Sequence, residues 1–519
     1  MSENRDTRSA WRYHDLTKHS YWGVHRSRHQ LDWDNRPSPF KIYPDIEPMP
    51  LSRHIAQTGA PALRAVASTG IEARGEIVPT LDQLASVLFY SAGVMREKTY
   101  PGGVIYFRAA ACAGALYPNE IYVVCGDIEG LAAGVYHFSP GDFALRRLRG
   151  GDWRNNIVRA TGSHPGAASA PVILIYTAIS WRSTWKYRDR AYRYHFWDNG
   201  TILANALAMS AANGLPAEIV MGFVESEVDR LIAIDGQGEL ALSMLALGHA
   251  GAALSHSSSS AAAEEPPELE PNVIPLSDCQ VDYPSIREMH AASSLGDAEE
   301  AGAWRSARIE LPSPAAAGVV VPLSPPRDEG LPGASIEEVI QRRASTRHFA
   351  ARAISFADLS MILDRATRGV PADFLPDRQS QLNDIYVIVN RVDGLRPGAY
   401  FYRREENGLE LLKGGEFSRR ASYLTLEQPL GGDASATLFF MADLKSLLGA
   451  YGNRGYRAVQ TEAGIIGGKA YLCAYAIKRG ATGLTFYDDD VTEFFSPHAA
   501  GKSCIFVTAV GVPGKRPIY

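Results

Sequence analysis

The sequence has few cysteines and no long apolar run. Its five cysteines are scattered single residues, none in a Cys-x-x-Cys pair: Cys112, Cys125, Cys279, Cys473 and Cys504. This pattern favours reduced thiols in a cytoplasmic protein over a disulfide framework or a zinc site, so we expect no metal. No apolar stretch reaches about 18 residues, so no membrane association is expected. The polar N-terminus, MSENRDTRSAWRYHD, is also unlike a signal peptide.

The sequence also lacks a basic tract. Its formal net charge is −5, which argues against a nucleic-acid-binding surface. Four histidines lie in the polar N-terminal segment and are expected at the surface: His14, His19, His25 and His29. With 46% hydrophobic residues, the 519-residue chain can fill a sizeable core. Its length predicts roughly two to four domains.

An internal repeat organises the chain. NEIYVVCGDIEGLAAGVYHF at 119–138 matches NDIYVIVNRVDGLRPGAYFY at 383–402, an offset of 264 residues. KYRDRAYRYHFWDNGTI at 186–202 matches AYGNRGYRAVQTEAGII at 450–466 with the same offset. A constant offset predicts two copies of one domain. The expected organisation is a leader segment over 1–75, a first domain over 76–250, a flexible linker over 251–272, a connecting segment over 273–334 and a second domain over 335–519.

Each copy has the same order of predicted elements. A helix is followed by a strand, a hairpin, another strand, a long apolar helix and a last strand. This interleaving predicts an α+β fold with helices packed on a sheet. Because the long helix is apolar on all sides, we expect it to be buried, with the two copies packed as an intramolecular pseudo-dimer. The run Asp488–Asp490 is interpreted as a helix start rather than a metal site.

Four short motifs carry the chemistry: QRRASTRHF at 341–349, ACAGALYP at 111–118, WKYRDRAYRY at 185–194 and GVPGKRP at 511–517. A loop of small residues lets the backbone approach a flat or bulky group closely. A cluster of arginines with a hydroxyl suits a phosphate dianion.

In this order the motifs resemble the FMN-dependent nitroreductase fold, and specifically the SagB/ThcOx-type dehydrogenases that oxidise azoline rings to azoles. The resemblance implies that Lys186 and Tyr187 are catalytic. It also implies FMN as cofactor, with these binding residues: Arg343, Ser345, Arg347, Lys515 and Arg516 at the phosphate, and Ala111, Cys112, Ala113, Gly114, Ala115, Gly483, Leu484, Thr485 and Phe486 along the ring. Ala111-Cys112 replaces the family's Pro-Ser, which leaves open how the flavin is tuned.

The two copies hold complementary halves of these motifs. The phosphate cluster is present only in the second copy, because the first has AVASTGIEARG there. The small-residue loop and the lysine are present only in the first copy: Arg378 stands in place of Gly114, and Ala450 in place of Lys186. We therefore expect one complete site per chain, at the interface of the domains.

The resemblance implies a proton removal by Lys186 together with hydride transfer to FMN N5. Burial and the neighbouring Arg182, Arg188 and Arg190 are expected to lower the pKa of Lys186. The substrate would be an azoline in a peptide or small natural product, with a cyclodehydratase as candidate partner. Two alternatives stay open: an NAD(P)H-dependent nitro or quinone reductase, and a non-catalytic flavin-binding partner of a ring-forming enzyme. The electron acceptor and further oligomerisation also stay open.

Overall fold

The structure is a computed structural model that describes residues 3–72, 75–100, 103–251, 254, 265–309, 311, 316–327 and 332–515. The strands are β1 (Pro48–Pro50), β2 (Val94–Tyr100), β3 (Gly103–Arg108), β4 (Asn119–Cys125), β5 (Gly134–Ser139), β6 (Ala144–Gly150), β7 (Val172–Ile179), β8 (Ala217–Val220), β9 (Glu239–Leu247), β10 (Val320–Pro322), β11 (Ile354–Ser355), β12 (Asp384–Val389), β13 (Val392–Asp393), β14 (Gly398–Arg403), β15 (Gly408–Gly414), β16 (Ala436–Ala442), β17 (Gly480–Gly483) and β18 (Ser503–Gly511).

The helices are α1 (Arg8–Leu16), α2 (Tyr21–His25), α3 (Ala62–Val66), α4 (Leu81–Ala92), α5 (Arg154–Ala160), α6 (Pro165–Ser169), α7 (Ser180–Tyr187), α8 (Ala191–Ala212), α9 (Glu225–Ile232), α10 (Pro284–Ala292), α11 (Ala298–Ser306), α12 (Ile336–Arg342), α13 (Phe356–Ala366), α14 (Ser418–Leu424), α15 (Pro429–Asp433), α16 (Leu444–Tyr451), α17 (Arg454–Ala476) and α18 (Asp488–Phe495). Short 3-10 turns cover Glu3–Asp6, Ala113–Ala115 and Arg188–Arg190. None of the described helices is both long and apolar enough to cross a bilayer.

Both copies build the same antiparallel sheet in the described residues. The strand order is β1-β6-β5-β4-β7-β9-β8 in the first domain and β10-β15-β14-β12-β16-β18-β17 in the second. The predicted duplication and α+β fold are confirmed. The edge strands β1 and β10 lie in the predicted leader and connecting segments. They were not predicted from the sequence, because three-residue strands with proline have no recognisable periodicity. The sheet of each domain thus includes one short strand from outside the repeat.

The two long helices α8 and α17 meet at equivalent glycines. A Cβ atom added to Gly200 would lie 2.5 Å from the carbonyl oxygen of Thr461. One added to Gly464 would lie 2.5 Å from the carbonyl oxygen of Trp197. Only glycine allows the two backbones to approach this closely. Because these glycines occupy matching positions of the repeat, the helices cross near a pseudo-twofold axis, as the pseudo-dimer prediction requires.

Reciprocal buried ion pairs join the two domains. Arg190 and Arg193 at the start of α8 contact Asp488 of the second domain, with N–O distances of 2.9 and 2.7 Å. Arg454 and Arg457 at the start of α17 contact Glu225 of the first domain. Burial would raise the pKa of Asp488, but Arg190 and Arg193 lower it to about 2. Charges this deeply buried require partners, so each domain depends on the other.

The segments outside the repeat pack against this core. Helices α10 and α11 fold from the connecting segment, and the α11 residue Trp304 is fully buried. The surface prediction for His14 is wrong: this side chain is buried, and its Nδ1 lies 3.2 Å from the hydroxyl of Tyr456. A polar segment can contribute buried residues when its aromatic side chains cover a helix pair. All five cysteines are free thiols.

Candidate active site at the domain interface

A cavity of about 460 Å³ lies where the two domains meet. Predicted residues from both copies line it: Ala111, Cys112, Ala113, Gly114, Lys186 and Tyr187 from the first, and Ser345, Arg347, Gly483, Leu484 and Thr485 from the second. Lining residues to which the sequence analysis assigned no role are Tyr194, Trp197, Asp198, Thr201, Leu426, Gln428, Tyr471, Thr482 and Phe506. The repeat register could have indicated Asp198, because its counterpart in the second copy is also acidic, at Glu462.

The small-residue loop needs glycine at its centre. Gly114 lies in a short 3-10 turn with a φ of 64°, a conformation that side chains rarely adopt. A Cβ atom there would lie 2.8 Å from the hydroxyl oxygen of Tyr187 and 3.3 Å from Nζ of Lys186. Gly114 therefore brings the loop directly against the Lys-Tyr pair. The arginine at the matching position, Arg378, could not take this place.

Two side chains of helix α8 fix the small-residue loop by hydrogen bonds. The Asp198 carboxylate accepts hydrogen bonds from the backbone N–H of Ala113 at 2.9 Å and from the thiol of Cys112 at 3.1 Å. The hydroxyl of Thr201 donates to the carbonyl of Ala111 at 2.5 Å. Burial raises the pKa of the Cys112 thiol well above its usual value, and Asp198 raises it further. Cys112 is therefore a neutral thiol rather than a reactive thiolate.

Lys186 and Tyr187 end helix α7 at the cavity wall. The Tyr187 ring stacks on Tyr194, with ring centres 4.1 Å apart and 15° between the planes. Nζ of Lys186 lies 5.4 Å from the centre of the Tyr187 ring. Burial lowers the pKa of Lys186, and the charges of Arg347 and Arg36 lower it further. A lysine with a lowered pKa can act as a proton acceptor nearer to neutral pH.

The predicted source of this lowered pKa is partly wrong. Burial contributes as expected, but the charges that act are Arg347 and Arg36 rather than Arg182, Arg188 and Arg190. Arg182 forms an ion pair with buried Glu120, and Arg190 forms one with Asp488. Side chains that are close in sequence on a helix point in different directions, so Arg182 and Arg190 pair with carboxylates away from Lys186.

The second domain forms the opposite wall. The hydroxyl of Tyr471 on α17 lies 3.4 Å from Oγ of Ser345 and accepts a hydrogen bond from the backbone N–H of Gly483. The side-chain amide of Gln428 donates to the hydroxyl of Thr485 at 3.2 Å. Arg347 is exposed and forms no ion pair with a residue that the structure describes. Its guanidinium gives the cavity a positive charge, which favours an anionic ligand.

Four predicted cofactor residues do not line the cavity. Arg343 is buried and donates hydrogen bonds to the carbonyls of Arg108 and Ala109 at 2.9 to 3.0 Å, so it holds the chain before the small-residue loop. Phe486 is fully buried, and Ala115 and Lys515 also lie outside the lining. Lys515 is exposed, and the preceding residue, Gly514, donates a backbone hydrogen bond to His348 at 2.8 Å. Arg516 lies outside the described residues. Cofactor contacts for all these residues stay predictions.

The position related to this cavity by the pseudo-twofold axis is filled by residues of the protein itself. Strand β8 is the counterpart of β17, whose Gly483 lines the cavity. The segment around Pro371 pairs with β8: Ile219 donates to the Pro371 carbonyl at 2.8 Å, and Asp373 donates to the Ile219 carbonyl at 3.0 Å. The Arg378 side chain packs against Gly70, where a Cβ atom would lie 3.4 Å from its Cζ. The geometry therefore supports one site per chain.

A model described as the nitroreductase family matches residues 78–249 and 340–511, one stretch in each domain. A solved structure from Anabaena variabilis ATCC 29413, provisionally described as a nitroreductase, covers 98% of this chain and 99% of its own, with 26% identity and a TM-score of 0.77. The arrangement of both domains is therefore shared along the whole chain.

Curated relatives match over shorter stretches. A provisionally named nitroreductase of Methanocaldococcus jannaschii is 31% identical over 155 residues, which are 30% of this chain and 75% of that protein. The trifolitoxin-processing protein TfxB of Rhizobium leguminosarum bv. trifolii is 31% identical over 170 residues, 32% of this chain and 46% of that protein. The microcin B17-processing protein McbC of Escherichia coli is 28% identical over 140 residues, 26% of this chain and 51% of that protein. The matched regions span about half the length of the two processing proteins.

Proposed function

The chain belongs to the nitroreductase family, and we propose that it is an FMN-dependent oxidoreductase with one active site per chain, between its two domains. The observation that carries this proposal is the cavity itself. Motif residues more than 150 positions apart in sequence line it together, each from the copy that retains it. The counterpart in the other half is filled by protein.

The residues of the cavity fit FMN. The wall from Ala111 to Gly114 carries no side chain larger than a thiol, so a flat ring can lie against it. The guanidinium of Arg347 suits a ligand that carries negative charge. The hydroxyl of Ser345 and the backbone of Gly483 add polar groups on the facing wall. When bound, FMN would supply a hydride acceptor at its N5 atom.

We propose an azoline in a peptide or small natural product as substrate. Oxidation of this ring to the azole removes a proton from one carbon and a hydride from its neighbour, so a base is needed beside the redox group. Nζ of Lys186 would take the proton, since its lowered pKa leaves more of it uncharged. Burial raises the pKa of Tyr187 well above its usual value, so its hydroxyl stays protonated and can donate a hydrogen bond to the substrate.

The similarity to two processing proteins, one for trifolitoxin and one for microcin B17, supports this substrate class. An azoline arises by dehydrative ring closure, so a cyclodehydratase is the proposed supplier of the substrate. NAD(P)H-dependent reduction of nitro compounds or quinones is the second candidate, and the Anabaena and Methanocaldococcus relatives favour it. A non-catalytic flavin-binding role is less favoured, because Lys186 lines the cavity.

The flavin content of the purified protein tests the cofactor and the single site together. We expect about one FMN per chain, because the two copies contribute to one cavity. The measurement is the absorbance of flavin released by denaturation, compared with the protein concentration. Two flavins per chain would contradict the single-site proposal, and no affinity for added FMN would contradict the cofactor. Turnover of an azoline peptide without NAD(P)H would then separate the two candidate reactions.

Replacing Arg347 should shift the pH dependence of azoline oxidation. Arg347→Gln removes a cation that lowers the pKa of Lys186, so this pKa should rise. Because the base must be uncharged, the rising limb of kcat/KM should move to higher pH. The profile is measured with saturating FMN, so that weaker cofactor binding does not contribute. Arg352→Gln, an exposed arginine outside the cavity lining, is the control and should leave the limb in place. An unmoved limb in Arg347→Gln would show that Lys186 is not the titrating base.

A further inference from the structure

Asp198 and Glu462 are equivalent carboxylates of the two copies. They lie on α8 and α17 at the offset of the internal repeat, and both are buried. Burial raises the pKa of each of them to about 7. Neither forms an ion pair with a residue in the described part of the chain. Each must therefore be stabilised by hydrogen bonds, and the two differ in how many the protein supplies.

The carboxylate of Glu462 accepts several hydrogen bonds from donors of the protein itself. Its carboxylate accepts hydrogen bonds from the backbone N–H groups of Leu382 and Asn383, each at 2.9 Å. It also accepts one from the side-chain amide of Asn383 at 2.7 Å. This carboxylate belongs to the half in which protein residues fill the space equivalent to the cavity. Holding the loop before the central strand needs nothing beyond these donors.

Asp198 receives fewer and weaker donors. One oxygen accepts the backbone N–H of Ala113 at 2.9 Å, and the other accepts the thiol of Cys112 at 3.1 Å. A thiol is a weak donor, and a carboxylate can accept about four hydrogen bonds. Asp198 also lines the cavity between the domains. The carboxylate of Asp198 can therefore accept further hydrogen bonds from a ligand in the cavity.

We propose that Asp198 binds the cofactor directly, by accepting a hydrogen bond from an N–H or O–H group of FMN. The inference rests on the proposed function, because it takes FMN as the occupant of the cavity. Oxidised FMN offers two kinds of neutral donor, the imide N–H of the ring and the hydroxyls of the ribityl chain. In its ionised form, the carboxylate of Asp198 would accept a stronger hydrogen bond from either donor than a neutral acceptor would.

The test is the FMN affinity of Asp198→Asn, measured by flavin fluorescence on titration of the apoprotein. The amide has the same shape, but its NH2 group faces either the Ala113 N–H or the donor of the ligand. We expect the Kd for FMN to rise about 10- to 100-fold. Glu462→Gln is the matched control: it removes the equivalent charge away from the cavity, so it should lower thermal stability and leave the Kd unchanged.

Two flavin analogues identify the donor and keep the test independent of the variant's folding. If the imide N–H is the donor, the wild type should bind N3-methyl FMN more weakly than FMN, and Asp198→Asn should not discriminate. If the ribityl hydroxyls donate, the same pattern should appear with a flavin whose phosphate is carried on an unsubstituted pentyl chain.

Equal affinity of the wild type for FMN and both analogues would overturn the inference. So would an Asp198→Asn variant that binds FMN as the wild type does, or one whose loss of affinity is matched by Glu462→Gln. A wild type that binds FMN in these cases leaves the proposed function standing. A wild type with no affinity for FMN overturns both proposals.

Discussion

Lys186→Ala should lose azoline oxidation while keeping its flavin. A positioned general base contributes roughly 10²–10⁴-fold to the rate, so we expect kcat to fall by this factor. Lys186 is half-buried and forms no ion pair within the described residues, so its removal should change the thermal stability little. Flavin content and reduction by dithionite should also persist. Turnover is measured on an azoline peptide at equal flavin occupancy.

The control for this variant is Lys445→Ala. Lys445 is an exposed lysine on α16, the counterpart of α7 in the second domain, and it lies outside the cavity lining. It should retain full turnover. Reduction of a quinone or nitroaromatic by Lys186→Ala should change little, since these acceptors release no carbon-bound proton. Full azoline turnover by Lys186→Ala would show that Lys186 is not the base. A wild type that turns over only quinones or nitro compounds would contradict the azoline proposal itself.

Asp488→Asn should strongly destabilise the fold. The substitution keeps the shape of the side chain but leaves Arg190 and Arg193 buried without their counter-charge. Breaking a buried ion pair from one side costs about 3–5 kcal/mol. We therefore expect a lower free energy of unfolding in urea, with a clear shift of the midpoint. Because Asp488 belongs to the second domain and both arginines to the first, this loss would measure how far the domains stabilise each other.

The neighbouring carboxylate provides the matched control. Asp489 pairs with Lys18 at 3.0 Å, but its side chain is 79% exposed, so Asp489→Asn should cost at most about 1 kcal/mol. The wild type offers a second measurement. The pKa of Asp488 is lowered in the folded state, so its contribution is present above the unfolded pKa of about 4. It should fade as the pH falls towards about 2. Equal effects of the two substitutions would contradict the stabilising role of the buried cluster.

Much of the fold was readable in the repeat. Strand β4 and strand β12 follow from apolar runs of β-branched residues. Strands β1 and β10 were not readable, since they are short and their pairing depends on distant strands. The burial of His14 could not be predicted either, because it follows from contact between the N-terminal segment and Tyr456 of the second domain.

Some residues of the site could be predicted from the sequence and others could not. Local motifs identified Gly114, Lys186 and Ser345, because a close backbone approach, a basic group and a hydroxyl are properties of residue type. They assigned no role to Tyr194, which stacks on Tyr187, or to Tyr471, which links Ser345 to Gly483. They also could not show that Arg343 lies outside the cavity lining, where its guanidinium donates to the carbonyls of Arg108 and Ala109.

The sequence by itself determined that the chain is a duplicated α+β protein with complementary motifs in its two copies, because periodicity and residue type are local properties that a repeat makes visible twice. The tertiary structure decided which charges act on one another. Arg347 and Lys186 are 161 positions apart in the chain, yet Arg347 lowers the pKa of Lys186. Arg190 is only four positions from Lys186, but it forms an ion pair with Asp488 instead. Coulomb energy depends on distance in space and on burial, and neither quantity is encoded in the spacing of residues along the chain.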